Sequence, residues 1–161
     1  MADNYKAILF STTLRNPERM GEFLLVLEKF DQKTLDDSTL KEIFKKLIIN
    51  QNYKPLKALK FHNLVDEYNK KTLTDKNLED IVDYNLLNES HKESGFPKGL
   101  PSRFETYYQL LREFGLVHYG WEQNIFISQI GYQFLNAIKE NDYTQQQFLV
   151  LRILTNWCSR N

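Results

Sequence analysis

Apolar positions recur every three or four residues along most of this chain, and the recurrence breaks where helix-ending residues stand. Met20, Phe23, Leu24, Leu27 and Phe30 form the apolar stripe of a first helix, opened by Asn16-Pro17-Glu18 as cap, first-position proline and first-turn acid, and ending near Asp31. A second helix, capped by Asp37 or Ser38, carries Leu40, Ile43, Phe44, Leu47 and Ile48 inward, with Lys41, Lys45 and Lys46 in water. After Pro55 the spacing of Leu56, Leu59, Leu64, Val65 and Tyr68 predicts a third helical region. Thr74 caps a fourth, through Leu78, Ile81, Val82 and Leu86.

Ahead of these helices, Tyr5 to Thr13 is rich in β-branched and aromatic residues and reads as a short strand. Asn88 to Leu100 is polar, with Gly95, Pro97 and Gly99, and is the expected boundary between a helical lobe over residues 1–90 and a second unit over residues 91–161. In that unit Phe104, Tyr108, Leu111 and Phe114 give a helix its buried face, behind Pro101 near its start and before Gly115 at its end. Residues 116–119 and 124–128 are two short strands joined by Gly120-Trp121-Glu122-Gln123. A helix from Gln129 to Ile138 and a last one, capped by Thr144 and running through Trp157, follow. The expected fold is mainly α with a small β hairpin: a helical N-terminal lobe and a winged-helix-like C-terminal lobe.

The helix before such a hairpin is the element that enters a DNA major groove in helix-turn-helix proteins. Opposite its buried stripe this helix displays Ser102, Arg103, Thr106 and Gln109, with Tyr107 and Arg112 at the edge. Arginine suits guanine and glutamine suits adenine. Hydroxyls and first-turn amides suit phosphate. At the hairpin tip, Trp121 and Asn124 reach toward a backbone or minor groove, or the tryptophan packs on its own hairpin. The competing reading of the whole face is a solvated surface on a protein-interaction module.

The 161 residues carry 21 Lys plus Arg and 21 Asp plus Glu, which argues against a strongly basic coat protein or an acidic tail. The zero is a sum of patches. Six lysines (41, 45, 46, 54, 57, 60) stand against Glu42 between Lys41 and His62, whereas Asp75, Glu79, Asp80, Asp83 and Glu89 stand against Lys76 further on. Cys158 is the only thiol, which excludes an intrachain disulfide and any zinc site needing two cysteines. His62, His91 and His118 lack ligand spacing, so no metal or cofactor is assigned to this chain, and no catalytic grouping assembles. The N-terminus has no signal-peptide core or membrane span, and a cytoplasmic protein is expected.

The run Phe10-Ser11-Thr12-Thr13-Leu14-Arg15-Asn16-Pro17-Glu18-Arg19, followed by Phe23 to Phe30, resembles the opening of type IIS restriction endonucleases of the AlwI-like group, which includes strand-nicking relatives. Tyr108 to Val117, Ile125-Phe126-Ile127-Ser128-Gln129-Ile130-Gly131 leading to Phe134-Leu135, and Phe148 to Trp157 resemble the same recognition region. The middle, Lys33 to Leu100, matches only in helical character. Ser128 stands where the family usually has threonine, which keeps the hydroxyl cap. The resemblance implies a sequence-specific domain for double-stranded DNA, with Thr13, Arg15 and Asn16 offered to phosphate or bases. Alternatively Asn16 caps its helix and Arg15 pairs with an acid.

Cutting by that family uses an Asp…(Asp/Glu)-x-Lys cluster holding Mg2+ in a separate C-terminal domain. Here Asp31-Gln32-Lys33 is the only such triplet, at a helix end, and is taken as a turn. The expectation is a recognition portion without its nuclease, joined to a downstream nuclease domain of the same polypeptide. The strongly apolar last helix fits this if that domain covers it. It also fits burial between the two lobes. A stand-alone winged-helix transcription regulator and a protein-interaction module are the other readings.

Overall fold

A computed structural model describes residues 18–158, so the expected strand Tyr5–Thr13 and the Asn16-Pro17 helix start lie outside the described residues. The described chain is mainly helical: α1 (Glu18–Glu28), α2 (Asp37–Ile49), α3 (Leu56–Phe61), α4 (Val65–Lys70), α5 (Asp75–Asn88), α6 (Leu100–Glu113), α7 (Gln129–Lys139) and α8 (Tyr143–Cys158). Between α6 and α7 stands a hairpin of β1 (Val117–His118) and β2 (Phe126–Ile127), antiparallel, with Val117 opposite Ile127 and His118 opposite Phe126. Among the described residues no helix is long and apolar enough to cross a membrane.

Local chemistry sets the element ends. The cap of α2 is Asp36, not Asp37 or Ser38: its carboxylate accepts from the Thr39 amide at 2.8 Å, a bond that also holds this acid below its ordinary pKa. Thr74 caps α5 through a full capping box with Asn77. The expected third helix is two, because the chain turns at residues 62–64 with Asn63 at φ +56°. Asp142, rather than Thr144, caps α8, accepting from the Gln145 amide at 2.9 Å. Gly115, at φ +70°, ends α6 as expected.

One apolar core crosses the expected 90/91 boundary. Phe23, Leu24 and Leu27 of α1 and Phe44 and Leu47 of α2 are buried in the same cluster as Phe104, Tyr108 and Leu111 of α6. Phe23 meets the Tyr108 ring edge-on at 5.6 Å, and the Tyr108 hydroxyl donates to the Phe23 carbonyl. Residues 90 and 91 therefore do not divide two separate cores.

A main-chain ladder also joins the halves. The Gln32 amide donates to Ile125 O at 2.6 Å, Ile125 N to Lys33 O at 2.9 Å, Leu35 N to Gln123 O at 2.8 Å and Glu122 N to Leu35 O at 2.9 Å. Residues 32–35 thus lie along the β2 side of the hairpin, with Thr34 bridging Asn124 antiparallel. Helix α1, this edge segment, α2, α6 and the hairpin thus form one connected body, and α3 to α5 are an excursion between α2 and α6. The Asp31 carboxylate extends the lacing, accepting from the Ile127 amide at 2.9 Å and from the Tyr132 hydroxyl.

The hairpin is closed onto α7 by two residues of the family-like run. Ser128 accepts from the Gly131 amide at 3.1 Å, capping α7, and donates to Gly115 O at 2.6 Å. Gly131 sits so close to β1 that an added Cβ would lie 2.2 Å from the Leu116 carbonyl oxygen and 2.8 Å from Ile127 Cγ2. Helix α8 packs on α7 through Leu149 and Ile153, but Phe148 and Leu151 are 57% and 62% exposed. It is thus not enclosed between lobes. A groove of about 690 Å³ remains beside it, lined by Phe134, Ile138, Tyr143 and Val150.

Gly131→Ala should destabilise the fold by about 3 kcal/mol, because a carbonyl oxygen cannot rotate away as a side chain can. Urea denaturation checks this, and a change of under about 1 kcal/mol would show that α7 can shift off β1.

Candidate functional site

The N-terminal half of α6 was expected to face a DNA groove, and the structure instead covers it with residues 89–99. Ser102 is fully buried. Its hydroxyl donates to Pro97 O at 2.7 Å and accepts from the Glu93 amide at 3.0 Å, so it fastens the loop and does not point outward. Arg103 is held by Glu89 through two bonds, Nε to Oε2 and Nη2 to Oε1, each 3.1 Å. Thr106 Oγ1 lies 2.7 Å from His91 Nε2 and donates to the Ser102 carbonyl at 3.2 Å. Polar residues on this face are consumed as clamps because a loop laid over a helix must satisfy its own amides and carbonyls.

The rest of the helix is similarly engaged. Tyr107 stacks on Phe23 at 5.7 Å and meets Tyr53 edge-on at 5.5 Å. Gln109 donates to Glu113 at 2.8 Å within the helix. Arg112 pairs with Glu105 and lies over the Tyr119 ring at 5.3 Å. Glu105 is 4% exposed and accepts from the Tyr119 hydroxyl at 2.8 Å. Burial raises its pKa more than Tyr119 and Arg112 lower it. The correction is physical: α6 is a central helix packed on α1, α2 and β1, not an outer one.

At the hairpin tip Trp121 is half-buried against the core, which favours its packing role. Asn124 is exposed and accepts from Thr34 Oγ1 at 2.9 Å. Thr13, Arg15 and Asn16 lie outside the described residues. Asp31-Gln32-Lys33 lies in the turn after α1, and the Asp31 carboxylate is taken up by the ladder. Among the described residues no group of three acidic, histidine or cysteine side chains is arranged to hold a metal ion.

Sequence reasoning missed how the lysine-rich stretch divides. Lys41 pairs with Asp83 at 2.8 Å, and Lys45 pairs with Glu42 at 2.8 Å and Glu79 at 3.3 Å, so the acidic face of α5 meets two of the α2 lysines. Lys54, Lys57 and Lys60 around α3, and Lys70 and Lys71 at the end of α4, are exposed and in no ion pair among the described residues. Beside them a cleft of about 330 Å³ opens between α3, α5 and α6, with Lys54, Lys57, Tyr53, Tyr107 and Arg103 on its walls. Only proximity in the fold assembles it; the nearest sequence signal is the lysine run itself.

The chain matches no protein-family model, no curated protein and no solved structure.

Glu105 yields a pH prediction. Its acid form is favoured on folding, so the stability linked to this group is complete below the ordinary carboxylate range and is lost as pH rises through the raised folded value. Glu105→Gln removes that dependence. The stability of the variant relative to the native chain should therefore climb from acid to neutral pH in urea titrations, and a constant difference would contradict the buried-carboxylate account.

Proposed function

We propose that this chain is the DNA-recognition portion of a type II restriction endonuclease resembling the AlwI-like group, carrying no nuclease of its own. The observation that supports this reading is the convergence of the family-like stretches. Residues 23–30, 108–117, 125–135 and 148–157 are far apart in sequence, yet α1 packs on α6 and α7, α7 on α8, and the hairpin on α6. The stretch that matches only in helical character, residues 33–100, supplies the α3–α5 excursion and also α2, which packs on α1 and α6. Residues shared with a family are those that must fit one another, and Gly131 does so at the hairpin, beside the hydroxyl cap that Ser128 keeps.

On this reading double-stranded DNA is met by the lysine corner of α3 and α4, and α6 acts as the support behind it rather than the reading element. Lys54, Lys57, Lys60, Lys70 and Lys71 position the duplex through phosphates, which carry affinity but no sequence information. Bases are then read by other groups, with the exposed Asn124 and the N-terminal Thr13, Arg15 and Asn16 retained for that role. Mg2+ belongs to the separate nuclease portion, which would cover Phe148 and Leu151 of α8. A cytoplasmic location accompanies this activity. The apolar groove beside α8 also favours a second reading, a winged-helix protein-interaction module that binds no DNA.

The domain should bind random duplex DNA at low salt, with log K falling linearly against log salt. Replacing Lys57, Lys60 and Lys71 by Gln should reduce that slope by about 0.9 for each lysine that meets a phosphate. No binding at low salt would leave the interaction module. Arg103→Ala is a poor probe, because it also frees the loop from Glu89. A reading frame continuing past Asn161 into an acidic, lysine-containing nuclease motif would support the endonuclease reading, and a stop there would sink it.

A further inference from the structure

The cleft between α3, α5 and α6 has features of a built anion site. Tyr53 is nine-tenths buried and Tyr107 half-buried, their rings edge to face at 5.5 Å. Both phenol groups sense Glu89 and Arg103 electrostatically, so the hydroxyls and that ion pair share one place. Yet among the described residues neither hydroxyl has a hydrogen-bond partner. Neither hydroxyl is sealed from solvent, so each is free to donate to a ligand in the cleft. Glu89 is no obstacle to an anion. Its oxygens accept from Arg103 twice and from the Ser90 and His91 amides, each at 3.1 Å, so its charge is met within the protein. Lys57, and Lys54, whose ammonium donates to Asn69 Oδ1 at 3.3 Å and lies over the Tyr68 ring at 5.3 Å, then leave the walls with an excess of positive charge.

We propose that this cleft holds a phosphate group of the DNA backbone, its charge met by Lys54 and Lys57 and its oxygens by the hydroxyls of Tyr53 and Tyr107. The proposal rests on the DNA reading for the source of the phosphate, while the chemistry of the site, a tetrahedral oxyanion held by two phenols and two ammonium groups, does not. Arg103 serves as a positioning residue: paired with Glu89, it fixes the start of the loop, Glu89 and Ser90, on the cleft wall. Lys60 stands one turn beyond Lys57 on α3, so one strand of a duplex can run from the cleft along the corner described above.

Two substitutions test the site without removing charge or packing, Tyr53→Phe and Tyr107→Phe. Each should weaken duplex binding about tenfold, the scale of one hydrogen bond to a charged group. The salt slope should stay unchanged, because a neutral hydroxyl releases no counterion. Unaltered melting temperatures would show that the fold is intact. Duplex binding that is the same in both variants as in the native chain would overturn the cleft and leave the DNA reading standing. If the native chain fails to bind duplex at low salt, inorganic pyrophosphate is the second probe. A rise in melting temperature in the native chain but not in the variants would support a phosphate cleft with a free rather than a DNA-borne source. No response to either probe would overturn both the cleft and the DNA reading.

Discussion

The ladder between residues 32–35 and 122–125 is the constraint on which the rest of the fold depends. A two-stranded hairpin of this size has too little apolar face to be stable alone and leaves an edge of unpaired amides. The segment after α1 supplies the missing partners. Because that segment is bounded by α1 and α2, pairing it with the hairpin brings both helices onto α6 and encloses α6 from a second side. The Asp31 carboxylate, which accepts from Ile127 N, continues the same role with a side chain after the backbone turns away.

Enclosure of α6 explains the fate of its polar side chains. On an outer helix, Ser102, Arg103 and Thr106 would compete only with water. Here they lie beneath residues 89–99 and satisfy that loop, since an unmade hydrogen bond in such a place costs about 1–3 kcal/mol. Glu105 is the extreme case, a carboxylate nearly out of solvent and retained through Tyr119 and Arg112. Charge follows the same logic at larger scale. The 21 positive and 21 negative side chains cancel in part by contact, Lys41 and Lys45 of α2 against Asp83 and Glu79 of α5, and five of the lysines in no ion pair among the described residues gather around α3 and at the end of α4. A neutral chain therefore still presents a basic surface.

Much of the fold was legible because helical stripes and capping residues act over a few positions. The faces of α1 and α2, the Thr74 capping box, the Gly115 stop and the hairpin are all local features. Local signals also produced the near misses. Asp36, Asp37 and Ser38 are equivalent as caps until the chain direction ahead of α2 is known, and Leu56 to Tyr68 keeps one helical spacing across a turn that a positive φ at Asn63 makes possible. The division at 90/91 was misleading for a related reason. A polar, glycine-bearing stretch marks a loop, but a loop need not separate two cores when the helices on either side share one.

By itself the sequence determined the apolar faces of most helices, the hairpin, and the supply of lysines and acids, since each depends on residues within one or two turns of one another. Tertiary structure alone decided that α6 is interior, that Ser102 and Arg103 serve the protein itself, and that Tyr53 and Tyr107 meet beside Lys54 and Lys57. Those outcomes depend on which faces come within a few ångströms across loops and across distant stretches of chain, beyond the reach of a single helical turn. An apolar stripe specifies that a helix must be covered on one side; it carries no information about what covers the other.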